Sequence, residues 1–228
     1  MRIIAIGDVH GCANTLRTLV ETQVCLEKSD ELYFLGDLID RGPDSKGVID
    51  FIFELWQKGY KVTCLKGNHE DIFLRTLAGE SDMGYFHRVG GDTTLKSFGV
   101  KHPDKIPAKY LNFFAEQLEW YAITSQYIFV HAGLNTNIAN PFSDKDFMIW
   151  QRNWYEEANR EKLDGHIVVH GHDPISLSST RIQLQYIKPN PFLNLDNGCF
   201  MANYKFGMGF LTACDLTNKV LYSEFYKG

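Results

Sequence analysis

The 228-residue sequence has no two cysteines in CxxC spacing, no block of basic residues and no apolar run approaching the length of a membrane span. Each absence excludes something. Five cysteines, an odd number, lie scattered at positions 12, 25, 64, 199 and 214, which argues against a disulfide framework or a zinc ribbon and for reduced, structural thiols. With 23 Lys and Arg against 28 Asp and Glu, the formal charge is −5, so the chain lacks the electrostatic footprint of a nucleic-acid binder. Met1 and Arg2 lead straight into IIAI and GDVHG, a run too short for a signal-peptide core or a span. No membrane association is expected, and the cytoplasm is the expected compartment. Repeats, low-complexity tracts and linkers are also missing, so the expectation is one domain over residues 1–228, with a monomer as the default.

What is present is a series of short apolar runs, each ending abruptly in glycine and polar residues: RIIAIGDVHG, ELYFLGDLID, KVTCLKGNHE, YIFVHAGL, HIVVHGHD and FLNLDNG. Continuous runs of this length read as strands buried on both faces. Between the first three lie ANTLRTLVETQVCLE and SKGVIDFIFELWQKG, whose helical spacing predicts crossover helices, a βαβαβ start with parallel strands. A third helix is expected from residue 71 to about 78, and a fourth over PAKYLNFFAEQLEW. Beyond residue 180, IQLQYI, PFLNLD, FGMGFLTACDL and KVLYSEFY are candidate strands. The fold class is therefore α/β, mixed and layered. The Gly-rich stretch over residues 79–99 yields no clear element and is a candidate lining of the site.

In an open α/β sheet the loops beyond the carboxyl ends of parallel strands converge. The six runs deposit Asp8, His10, Asp37, Asp40, Arg41, Asn68, His69, His131 and His172 there. Carboxylate and amide oxygens mixed with imidazole nitrogens suit a first-row divalent cation such as Mn, Fe or Zn, whereas Ca or Mg favour oxygen alone. The donors exceed what one ion needs, and two ions sharing a carboxylate would use them.

GDVHG, GDLIDRG, GNHE, HAG and GHD, in that order over residues 7–173, with LDNG near residue 196, resemble the signature of the metallophosphoesterase superfamily. Within it the motifs are most similar to the phosphoprotein phosphatase branch and its compact bacterial and phage serine/threonine phosphatases. The resemblance implies a layered fold of mixed β-sheets, a β-sandwich flanked by helices, with a dinuclear centre at the strand ends. It implies that Asp8 and His10 hold one metal, that Asp37 bridges two, and that Asn68, His131 and His172 complete the second, with Mn as the expected ion and Fe or Zn as alternatives. A metal-bridging hydroxide would attack phosphorus directly. Arg41 would fork onto phosphate oxygens, joined by Arg152 of IWQRNW and by Asn68 and His69. His69 would protonate the leaving oxygen while Asp40 holds its other ring nitrogen.

Other residues are read more plainly. Lys66 stands where the family commonly has Arg, so a bidentate role is not carried over. His170 competes with His172 as a ligand, and the GH pairing favours His172, leaving His170 structural. Glu70 and Asp71 read as first-turn acids facing a helix dipole. Cys12 and Arg17 are one residue too close for a cysteine-phosphatase loop. Residues 198–204, GCFMANY, lack the toxin-binding loop of eukaryotic relatives.

Two enzymatic functions follow from the resemblance. The leading one is hydrolysis of phosphoserine or phosphothreonine monoesters, with a phosphoprotein or phosphorylated small molecule as partner. The alternative is a bis(5'-nucleosyl)-tetraphosphatase, whose second motif usually has Ala where this chain has Asp40. A third, non-catalytic scaffold reading conflicts with the retention of His69 and every expected ligand.

Overall fold

A computed structural model describes residues 1–202 and 207–228. Phe206, which opens one candidate strand, and Asn203 and Tyr204 of the GCFMANY stretch lie outside the described residues.

The first three apolar runs form β1 (Ile3–Ile6), β2 (Glu31–Phe34) and β3 (Lys61–Leu65). They pair in parallel, in register Ile4 with Leu32 and Leu32 with Val62. Helix α1 (Ala13–Thr18), continued by a wider π turn over Leu19–Val24, makes the first crossover, and α2 (Ser45–Gln57) makes the second. Helix α2 starts where Asp44 accepts from the Gly47 amide, and it buries Val48, Ile49, Phe51, Ile52 and Leu55, one apolar stripe at helical spacing. Next come α3 (Asn68–Leu77), α4 (Met83–Arg88), α5 (Gly91–Ser97) and α6 (Ala108–Glu116). The uninterpreted stretch over 79–99 is thus largely two short helices.

A second sheet contains β5 (Tyr121–Ile123), β6 (Tyr127–Val130), β7 (Ile167–His170) and β8 (Phe192–Asn194) in that order; β4 (Leu118–Glu119) joins β3 in the first. Strands β6, β7 and β8 are parallel. The chain closes with β9 (Asp196–Asn197), β10 (Phe210–Asp215) and β11 (Val220–Phe225), which return to the first sheet, β10 running antiparallel to β1. Both sheets are mixed.

The two-residue period of a strand sorts the core into layers. Ile4, Ile6, Leu32 and Phe34 face the α1–α2 side, while Ala5 and Leu35 meet Tyr127, Phe129, Val169 and Leu193 between the sheets. Ile128, Val130, Val168 and Phe192 face outward onto Met148, Ile149 and Trp154 of α7 (Lys145–Trp150) and the loop after it. Tyr33 stacks on Phe129 across the middle layer, centroids 4.2 Å apart. Strands covered on both faces cannot alternate apolar with polar, which is why the runs are continuous.

One expected strand is a helix. IQLQYI falls at the end of α8 (Leu177–Gln185), where the Ser176 side chain accepts from the Ser179 amide at 3.2 Å. Leu177, Thr180 and Ile187 are buried and Leu184 packs on the middle layer. Their spacing of three and four residues overrides the local alternation that begins at Ile182.

Candidate active site

Parallel strands β1, β2, β3, β6 and β7 all point their carboxyl ends at one place, so the residues just past Ile6, Phe34, Leu65, Val130 and His170 meet there. The backbone bends sharply to present them. His10, Asp37, Asp40, Arg41 and His172 all have φ between 45° and 71°, a region that costs a non-glycine residue of order 1 kcal/mol or more unless its surroundings hold it. Two close approaches require glycine: a Cβ on Gly67 would overlap Asp37 Oδ1, and one on Gly171 would overlap Asp8 Oδ1.

Glu70 holds the Asp37 turn. Its fully buried carboxylate accepts from the amides of Asp37 (3.0 Å), Leu38 (2.7 Å), Ile39 (3.3 Å) and Gly67 (2.9 Å). It is a clamp on the Asp37 turn, not merely a first-turn acid facing the helix dipole. Burial and the neighbouring Asp37 charge push it up to about 7 against these stabilising bonds. Asp40 is held as tightly. Its amide donates to Ser45 Oγ and Thr94 Oγ1, and Thr94 Oγ1 donates back to Asp40 Oδ1 at 2.6 Å. Asp40 Oδ2 then accepts a hydrogen bond from His69 Nδ1 at 2.8 Å. Thr94 comes from α5, so the 79–99 stretch does reach the site, and the Gly90 carbonyl accepts from the Arg41 amide.

Three imidazoles share one design. His10 Nδ1 donates to the Ile39 carbonyl, His131 Nδ1 to Leu35 and His172 Nε2 to Trp150. A carbonyl can only accept, so in the neutral ring that burial favours the other nitrogen is an unprotonated acceptor. Those nitrogens face further acceptors: His10 Nε2 lies 3.5 Å from Asp37 Oδ2, His131 Nε2 3.4 Å from Asp37 Oδ1, and His131 Nε2 and His172 Nδ1 lie 3.1 and 3.0 Å from Asn68 Oδ1. Converging lone pairs with outward-anchored rings are the arrangement of metal-binding imidazoles. Two groups have ligand atoms mutually within 4.8 Å, His10–Asp37–His69 and Asp37–His131–His172, with Asp37 common to both.

The electrostatics agree with cation binding. Burial holds His10, His131 and His172 below the usual imidazole range, helped by Arg41 beside His10 and by His131 beside His172, which lies at about 3. Asp8 is pushed well above the carboxylate range by burial and by the charges of Asp196 and Asp37. Burial would raise Asp37, but positive charge on the neighbouring imidazoles, of which only His69 is left raised, holds it below the usual carboxylate range. His69 is the exception among the imidazoles. Burial pulls it down, while the Asp37 charge and the Asp40 hydrogen bond leave it raised.

Of the residues expected from sequence, the cluster brings together His10, Asp37, Asp40, Asn68, His69, His131 and His172. Asp8 is buried beside it, taking the His172 amide on both oxygens. Arg41 Nη1 reaches His10 Nε2 at 3.2 Å. Arg152 stands at the rim, 47% exposed, paired with Asp173 at 2.6 Å. Lys66 turns away and lays its ammonium 4.8 Å over Trp120. His170 is a structural residue: Nδ1 donates to the Gly171 carbonyl and Nε2 accepts from Tyr155 Oη. Sequence reasoning missed Thr94, Ser45 and Asp196, and also Phe200, whose ring lies 4.7 Å from the Arg41 guanidinium and edge-on to His10. A hydroxyl or a lone Phe between ordinary residues carries no motif. Asp196, buried and pushed up to about 7 by its burial, was signalled only by LDNG.

The chain is similar to known proteins in sequence and in fold. A segment of 75 residues is 48% identical to a symmetrical bis(5'-nucleosyl)-tetraphosphatase of Legionella pneumophila (strain Corby), covering 33% of this chain and 26% of that protein, so the match spans about a quarter of the relative's length. The asymmetrical bis(5'-nucleosyl)-tetraphosphatase of Bacillus subtilis (strain 168) is 26% identical over 90% of this chain and 89% of its own. In fold, the chain superposes on a crystal structure assigned as a diadenosine tetraphosphatase with a TM-score of 0.69 at 22% identity, over 100% of this chain and 95% of that one. A serine/threonine phosphatase of Saccharomyces cerevisiae gives a TM-score of 0.61 at 14% identity, over 100% and 80%. These two show the shared fold alone. Among the described residues no helix is long and apolar enough to cross a membrane. The family model for calcineurin-like phosphoesterases matches residues 1–198, and with the Asp37-centred cluster on the same fold, the chain belongs to that metallophosphoesterase family.

Proposed function

We propose that the chain, acting as one domain, is a metal-dependent phosphohydrolase of bis(5'-nucleosyl) tetraphosphates. The observation that carries the reaction class is Asp37, whose single carboxylate faces both histidine groups. The substrate rests on the Bacillus subtilis relative, which aligns over nearly the full length of both chains. This inverts the order suggested by the motifs, which put the phosphoprotein first and the tetraphosphate second.

Asp8, His10, Asp37, Asn68, His131 and His172 would hold two divalent cations. When bound, such ions supply Lewis acidity toward phosphoryl oxygens and toward water. The chain's own residues do the rest. Arg41, anchored through its amide to Gly90 and braced by Phe200, presents a planar fork to phosphate oxygens. Arg152, half-exposed and paired with Asp173, would join it on the phosphate. His69 keeps its Nδ1 proton on Asp40, so the proton on Nε2, which points toward Asp37 at 3.9 Å, is the one available to the departing oxygen. The anion left on Asp40 stabilises the charged ring before transfer.

A second reading, phosphoserine or phosphothreonine hydrolysis, is favoured by that same Asp40–His69 pair, because a serine alkoxide leaves poorly without a proton. Rates on diadenosine tetraphosphate and on a phosphothreonine peptide, measured side by side with Mn, test the choice. Faster turnover of the dinucleotide is expected; a rate on the peptide exceeding it tenfold would reverse the assignment.

A further inference from the structure

The two arginines of the site differ in what neutralises them. Arg41 touches an imidazole and an aromatic face and, among the described residues, makes no ion pair with a carboxylate. Arg152 is paired to Asp173, Nη1 to Oδ1 at 2.6 Å. Asp173 is held firmly for this task. Its amide donates to the Gly171 carbonyl at 2.9 Å, and its carbonyl accepts from Asn194 Nδ2 at 2.7 Å. The preceding residue, His172, fastens the other strand of the contact by donating to the Trp150 carbonyl, two residues before Arg152. The same turn therefore carries a proposed metal ligand and aims an arginine.

A guanidinium has five N–H donors, and the ion pair commits one nitrogen, Nη1, to Asp173, so part of the fork remains for a phosphate. The carboxylate nevertheless stays beside whatever Arg152 grips. A phosphorus inside a polyphosphate chain, or in any diester, carries one negative charge on its free oxygens; the terminal phosphate of a monoester carries close to two near neutral pH. The second charge would face Asp173.

We propose that Asp173 is a specificity-determining residue, which orients Arg152 and biases the site against dianionic phosphate in favour of singly charged, internal phosphates. This deepens the tetraphosphatase reading and rests on it for the natural substrate. One extra charge at about 6 Å and an effective dielectric constant of about 40 corresponds to roughly tenfold in preference.

The test compares wild type with Asp173→Asn, which removes the charge and keeps an oxygen for Arg152, on two synthetic esters: p-nitrophenyl phosphate, a dianion, and bis(p-nitrophenyl) phosphate, a monoanion. The ratio of kcat/KM for monoester over diester should rise about tenfold, chiefly through a lower KM for the monoester, and inorganic phosphate should inhibit the variant more tightly by a similar factor. Asp173→Ala, which also removes the oxygen, should lower kcat/KM on both esters. A ratio and a phosphate inhibition constant both within twofold of wild type in Asp173→Asn would overturn the proposal. Diadenosine tetraphosphate is assayed in parallel. If wild type fails to hydrolyse it, the tetraphosphatase reading falls, while the ester ratio still decides the role of Asp173.

Discussion

The site has two walls built on different principles. On the wall from residues 8–94, His10 is anchored by a main-chain carbonyl, but the acidic side chains are bound up with other buried polar groups: Glu70 gathers four amides around the Asp37 turn, and Thr94 and Ser45 fix Asp40. On the wall from 131–173, imidazoles are anchored by main-chain carbonyls, and the outermost contact is a half-exposed ion pair between Arg152 and Asp173. A buried charge held by other buried groups cannot be altered without leaving unpaired partners. An exposed ion pair is worth little to the fold. The first wall is therefore where chemistry and stability are tied together, and the second is where selectivity can change without collapse.

The sharpest way to break the contrast is at its centre. Asp37→Ala should remove the carboxylate common to both histidine groups. Bound metal should fall from about two ions per chain to less than one, as read by elemental analysis, and turnover should drop to background. His172→Ala on the other wall should lose mainly one ion. Equal metal loss in both variants would mean that the walls do not divide the donors as described.

His69→Ala comes next. General acid catalysis is typically worth about 10² to 10⁴ in rate, so kcat should fall by that order for an alkyl phosphate and by far less for p-nitrophenyl phosphate, whose leaving group needs no proton. Equal losses on both substrates would count against His69 as the proton donor.

Glu70→Gln probes the clamp. It retains an oxygen but replaces the other by an amide that points donors at donors. Outer partners of metal ligands typically change affinity by about 10- to 100-fold, and unpaired buried groups cost about 1 to 3 kcal/mol each, so metal affinity and Tm should fall together. A weakened affinity at unchanged Tm would separate the two properties claimed to be joined on this wall.

Much of this was legible because the proposed metal ligands sit where parallel strands end. Asp8, Asp37, Asn68, His131 and His172 each follow an apolar run by one to three residues, so strand pattern and chemistry mark the same places. The supporting groups were not legible for the opposite reason. Thr94 lies on a short helix 54 residues from Asp40, and no periodicity ties one to the other. Glu70 was misjudged because a glutamate at a helix start is ordinarily exposed; only the folded chain shows the Asp37 turn lying over it. Arg152 was singled out from IWQRNW, but its partner Asp173 was read only as part of GHD. In the fold, the layered α/β class followed from runs buried on both faces, whereas residues 182–187 were misread because the window began inside a helical stripe.

The smallest expected effect lies farthest from both walls. Arg2 and Asp30 pin the amino ends of β1 and β2: Arg2 donates from its amide, Nε and Nη2 to the Asp30 carboxylate, the shortest contact being 2.6 Å, and the Glu27 amide adds another. Burial alone would raise Asp30, but these bonds hold it below the usual carboxylate range. A depressed folded value means that the pair stabilises the native state above the unfolded carboxylate pKa and that the contribution disappears as pH falls through the folded one. Asp30→Asn should therefore lower Tm at pH 7, by about 5 °C if hydrogen bonds to a charged group are worth about 1.5 to 3 kcal/mol, and the gap to wild type should close on acidification. Turnover and metal content should stay within about twofold of wild type, because the pair sits at the strand ends opposite the ligands. A gap that widens at low pH would invert the sign of the linkage, and a loss of metal would mean that the first wall's coupling of stability to chemistry extends along the whole sheet.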